Sequence, residues 1–132
     1  MIRSTCLELR AKIGKLQLLS TFIENSMLKF GLSEYQQFQT QIAVDEVIKN
    51  IITHADLGEM DKINVKCQEQ DNEIKILIEY PGKPFNPVRA DSKISPLKQD
   101  DGLKVYFIKK NMNNVNRDFE GGKNVLTLIK RV

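Results

Sequence analysis

Glu46, Asn50 and His54 stand four residues apart within Asp45-Glu46-Val47-Ile48-Lys49-Asn50-Ile51-Ile52-Thr53-His54-Ala55. On a helix that spacing makes one row. A carboxylate and a carboxamide oxygen one turn apart suit magnesium-assisted phosphoryl chemistry. The amide oxygen is a hard ligand for the ion, and the carboxylate can orient or deprotonate an attacking hydroxyl. Val44, Val47, Ile48, Ile51, Ile52 and Ala55 recur at helical spacing and form an apolar stripe on the same helix. At about 100° per residue, His54 lies at the stripe's edge and Glu46 drifts toward the opposite side. The plain alternative is a core helix whose exposed side happens to be polar, and spacing alone leaves both open.

The elements that must position this row follow from periodicity. Residues 3–9 read as a short opening strand. Ile13 to Phe30 carries Leu16, Leu19, Phe22, Ile23, Met27 and Phe30 at helical spacing, with Gly31 as a stop. Ser33, with Gln36 three positions on, begins a capping signal for a second helix that runs to about Ala55. The period then changes to two. Ile63, Val65 and Cys67 alternate with polar neighbours, and Ile74, Ile76, Ile78 and Tyr80 do the same after a turn at Asp71-Asn72. Pro81 to Asp101 sustains no period and reads as a long loop. Leu103 to Asn111 can form a short helix with Leu103, Phe107 and Ile108 inward. Glu120-Gly121-Gly122-Lys123 signals a tight turn before the final strand, Val125 to Ile129. Strands in one sheet with helices gathered on one face make a two-layer α/β sandwich.

Length and composition narrow the function. The 132 residues suffice for one domain with a real core, and 41% hydrophobic with 28% charged residues is ordinary for a soluble protein. The formal charge of +3 is spread along the chain without interleaved aromatics, which argues against nucleic acid. No apolar run approaches the roughly 20 residues needed to span a bilayer, and no export signal is visible. Cys6 and Cys67 read as two buried thiols of a reducing cytoplasm rather than a disulfide or a metal site.

Four blocks then follow one another. Gly31-Leu32-Ser33 leads into Ile42 to Ala55. Gly82-Lys83-Pro84-Phe85-Asn86-Pro87 comes next, then Gly102-Leu103 with Val105-Tyr106-Phe107-Ile108. Glu120-Gly121-Gly122-Lys123-Asn124-Val125-Leu126-Thr127-Leu128 is the last. In this order, over nearly the whole chain, they resemble the histidine-kinase-like ATPases, and among these the small bacterial anti-sigma-factor serine kinases. The first block looks like that family's N-box and the second like the loop after its adenine-contacting strand. The third is similar to the glycine-led start of the helix behind the phosphates, and the fourth to the closing hairpin.

The resemblance implies an α+β, Bergerat-type ATPase fold over residues 1–132 as one domain, with a mixed, mostly antiparallel sheet and helices on one face. It implies ATP and Mg2+ as cofactors. Glu46 matches the family's general base, Asn50 its magnesium ligand, and His54 a position on the same helix face. Tyr80, Gly82, Lys83 and Phe85 would border the nucleotide from one block, and Gly102 and Leu103 from another. The loop from Val88 to Asp101 would be a lid over the phosphates, with Arg89, Lys93 and Lys98 in it. The activity implied is transfer of phosphate to a serine or threonine of an antagonist protein, with sequestration of a sigma factor or similar regulator. The relatives also form homodimers through their helical first half.

The match departs from the family at two places. An aspartate that accepts a hydrogen bond from the adenine amino group is expected where Tyr80 stands. Losing a charge-assisted hydrogen bond costs roughly 1.5–3 kcal/mol, about ten- to hundredfold in affinity. Strand alternation points Glu79 to the other face, so it is no substitute. Asp100 and Asp101 precede Gly102 where small residues are usual, and Lys104 replaces an expected glycine. The departures leave a second function open: a protein-binding module of the same fold with weak or no nucleotide binding.

Overall fold

Two helices pack across one face of a five-stranded sheet in a computed structural model that describes residues 2–87 and 108–132. The strands are β1 (Arg3–Arg10), β2 (Lys62–Gln70), β3 (Glu73–Pro81), β4 (Asn114–Glu120) and β5 (Lys123–Arg131). Their order across the sheet is β1-β2-β3-β5-β4, and every neighbouring pair is antiparallel. The expected sheet is mixed and mostly antiparallel; all four described pairings are antiparallel, and tight hairpins make two of them, β2–β3 and β4–β5. Asp71 and Asn72 sit at φ 53° and 62°, and Gly121 and Gly122 at 58° and 77°. Left-handed pairs of this kind match the twist of the strands they join.

Alternation decides which face is buried. Ile63, Val65 and Cys67 of β2, Ile74, Ile76, Ile78 and Tyr80 of β3, and Leu126 and Leu128 of β5 all point to the helices. Helix α1 (Leu16–Lys29) follows a single 3-10 turn at Ile13–Lys15 and presents Leu19, Ile23 and Met27 to that face. Helix α2 (Glu34–His54) presents Ala43, Val44, Val47, Ile48 and Ile51. Each large side chain buried this way contributes roughly 1.5–3 kcal/mol, so the stripe seats α2 firmly on the sheet.

The ends of the helices follow their sequence signals. Gly31, at φ 78°, lets Leu32 N bond Met27 O and Gly31 N bond Leu28 O, which satisfies the last carbonyls of α1. Ser33 Oγ accepts from Gln36 N, and the Gln36 side chain accepts from Ser33 N in return. Beyond the described gap, residues 108–111 are helical and Ile108 is buried, as expected; Leu103 and Phe107 lie outside the described residues. Lys130 Nζ, nearly buried on β5, donates to Asn111 O and to Gln39 Oε1, tying that helical turn to α2.

The expectation of two buried thiols fails at Cys6. Cys67 is buried, and burial lifts its thiol to about 11, but Cys6 is exposed. Thr5 is the residue opposite Cys67, so alternation turns Cys6 to the open face of the sheet. No helix among the described residues is long and apolar enough to cross a membrane.

Asp45 joins the two helices: its Oδ1 accepts from Ser20 Oγ at 2.8 Å and from Gln41 Nε2 at 3.1 Å. Burial outweighs those bonds and raises its pKa above 3.8. A raised carboxylate pKa gives stability that is complete below the unfolded value and is lost as pH rises through the folded one. Asp45→Asn keeps the acceptor oxygen without the charge. It should raise the melting temperature at pH 7, with the gain shrinking as pH falls toward 3.8. A variant less stable than the wild type at pH 7 would contradict this.

Candidate functional site

The middle and C-terminal turns of α2 carry the polar row. Asn50 is 3% exposed, in line with the core stripe, and its Nδ2 donates to the carbonyl of Pro87 at 3.1 Å. Glu46, one turn earlier, is half-buried, yet its Oε2 is shielded from water and has no hydrogen-bond partner among the described residues. A buried carboxylate oxygen without a donor is costly, by roughly 1–3 kcal/mol or more. Such an atom is suited to accept a hydrogen bond or to meet a cation. His54 is half-buried in the last turn. The row exists as expected, with Asn50 deeper than Glu46.

Tyr80 ends β3 on the inner face and is 1% exposed. Its hydroxyl donates to Phe85 O, and burial raises its pKa, with Arg117 acting weakly the other way. Glu79 faces outward and pairs with Lys123 at 3.1 Å, so no carboxylate of β3 reaches the Tyr80 side. After β3 the chain runs as an irregular strip to Pro87. Gly82 takes φ 95°, where a Cβ would make only an ordinary 3.5 Å contact with Leu57. Its backbone angle, rather than crowding, calls for glycine. Lys83 is exposed, whereas Phe85 packs against the core and Pro87 is buried. The expected lid from Val88 to Asp101, with Arg89, Lys93 and Lys98, and the expected site residues Gly102 and Leu103 lie outside the described residues.

Asn124 belongs to this site and was not anticipated. It opens the inward face of β5 directly opposite Tyr80 and is 0% exposed. Its Oδ1 accepts from Phe85 N at 2.9 Å. Its Nδ2 donates to Lys83 O at 3.1 Å and approaches Pro81 O and Tyr80 O at 3.4 Å. The available signal was a polar residue in the inward register of Leu126 and Leu128. The strip is thus held by Tyr80 and Asn124 at one end and touches Asn50 at the other.

Oxygen donors at Glu46 and Asn50 suit magnesium, which keeps several waters and takes phosphate oxygens beside one or two protein ligands. The described residues hold no cluster of three or more His, Cys, Asp or Glu fit to cage a metal alone. The orphaned Glu46 oxygen therefore fits a site completed by a ligand.

A family profile described as "Histidine kinase-like ATPase domain" matches residues 9–130. No curated protein matches the sequence. Among solved structures, the chain is similar to a crystal structure of the RsbU and RsbW domains of Rv1364c from Mycobacterium tuberculosis. The TM-score is 0.69 at 10% identity, over 98% of this chain and 32% of that one. The chain thus spans about a third of that structure's length, and the likeness shows the fold.

Tyr80→Asp would place a carboxylate where a ring is packed. Removing a buried aromatic ring costs roughly 3–5 kcal/mol, so the urea midpoint of this variant should fall well below that of the wild type. An unchanged midpoint would show that the ring does not support the core.

Proposed function

The chain belongs to the histidine kinase-like ATPase domain family, and from that premise we propose that it binds ATP with magnesium and acts as a regulatory serine/threonine kinase of the anti-sigma type. The observation that carries this reading is the buried Oε2 of Glu46, without a hydrogen-bond partner among the described residues, one helical turn from the buried amide of Asn50. Glu46 would orient the acceptor hydroxyl and take its proton, and it needs an unengaged oxygen for that. The Asn50 amide oxygen would hold magnesium, which supplies positive charge to the phosphates when bound. Resemblance of the N-box and closing hairpin to the anti-sigma-factor serine kinases supports a protein substrate, with a sigma-like regulator and its antagonist as partners.

A second reading has its own observation. Tyr80 is packed and bonded to Phe85 O in the position of the expected adenine-reading carboxylate. That favours a protein-binding module whose affinity for nucleotide is weak or lost.

Calorimetric titration with ATP and magnesium separates the two. Heat that saturates supports the first reading; none at millimolar nucleotide leaves the second. Given binding, Glu46→Gln should abolish transfer to the protein substrate and leave ATP affinity nearly intact. Rates fall by roughly 10²–10⁴ when a general base is lost. Transfer retained in that variant would remove Glu46 from the chemistry.

A further inference from the structure

We infer that Asn124 is a positioning residue for the carboxamide of Asn50, acting through the strip Pro81–Pro87. The inference rests on the reading of Asn50 as a magnesium ligand and adds what holds that ligand in place. Three of its seven residues, Pro81, Pro84 and Pro87, lack N–H groups, which limits the backbone bonds it can make. Its shape is therefore set by side chains.

Among the described residues, Asn124 supplies several of them. It accepts from Phe85 N and donates to Lys83 O, with Pro81 O and Tyr80 O nearby, while the Tyr80 hydroxyl takes Phe85 O. Only a carboxamide offers an acceptor and two donors from one short side chain. At 0% exposure it has no water to turn to, so its polar atoms depend on these bonds. Phe85 is fixed through both its N–H and its carbonyl, and the proline ring at 87 narrows the backbone two residues on. The carbonyl of Pro87 then meets Asn50 Nδ2 at 3.1 Å. An amide whose nitrogen is held this way keeps its oxygen as the end that faces a ligand. Partners one step removed from a metal ligand fix its orientation and its affinity.

Side-chain amide 1H–15N spectra of the whole chain without nucleotide test this directly, with the Asn50 pair assigned by its loss in Asn50→Asp. In Asn124→Ala the Asn50 pair should shift and exchange faster with solvent, and in Tyr80→Phe it should move in the same direction by less. In ATP titrations with and without magnesium, the gain that magnesium brings should fall roughly tenfold or more in Asn124→Ala, with magnesium-free affinity nearly unchanged. An Asn50 pair that stays in place in either folded variant overturns the inference. Should Asn124→Ala fail to fold, Tyr80→Phe decides it, because that change removes a single hydroxyl. Absence of any nucleotide binding in the wild type would end the proposed function, and the amide spectra would still decide the positioning role.

Discussion

A carboxamide removed from water must have its hydrogen bonds met by protein, and two of them, at Asn50 and Asn124, govern the end of the sandwich where β3 and β5 face α2. Leaving either unmet costs about 1–3 kcal/mol, a large part of a domain's net stability. Asn124 draws the strip after β3 against the sheet, and the strip in turn brings Pro87 O to Asn50. The apolar stripe of α2 supplies the fixed surface that makes this possible. Without Val47, Ile48 and Ile51 locked in the core, Asn50 would have no reason to be buried.

Much of this was legible in the chain. Alternation at 63–67 and 74–80 gave two strands with the correct inner face, and the Ser33–Gln36 pair marked the start of α2. Glycine and asparagine at the turns revealed both hairpins through their positive φ. Hydrogen bonds between distant segments were not legible. Nothing local in Asn124 says that its partners are Phe85 and Lys83, about forty residues away. Pro87 contributes through a backbone carbonyl, a group that every residue carries. Cys6 was misjudged because strand-like surroundings do not say which way an edge residue turns.

Tyr80 is where two demands meet. The sheet needs a large inward side chain at the end of β3, and a tyrosine can fill that space while its hydroxyl reaches Phe85 O. A nucleotide base would instead need a carboxylate and room. A ring that is buried and hydrogen-bonded is not readily exchanged, because both packing and polar satisfaction would have to be rebuilt. On the proposed reading, the Glu46–Asn50 row and the packed Tyr80 ring therefore pull in opposite directions.

The strand order has a consequence for how the pieces come together. β5 follows the other described strands in the chain, yet it lies inside the sheet, between β3 and β4. Until residues 123–131 pair, β3 lacks its described neighbour on that side and the strip lacks the Asn124 bonds, keeping the one from the Tyr80 hydroxyl among the described residues. Docking of β5 therefore completes the wall of the core and the bonds that hold the strip near Asn50 in one step.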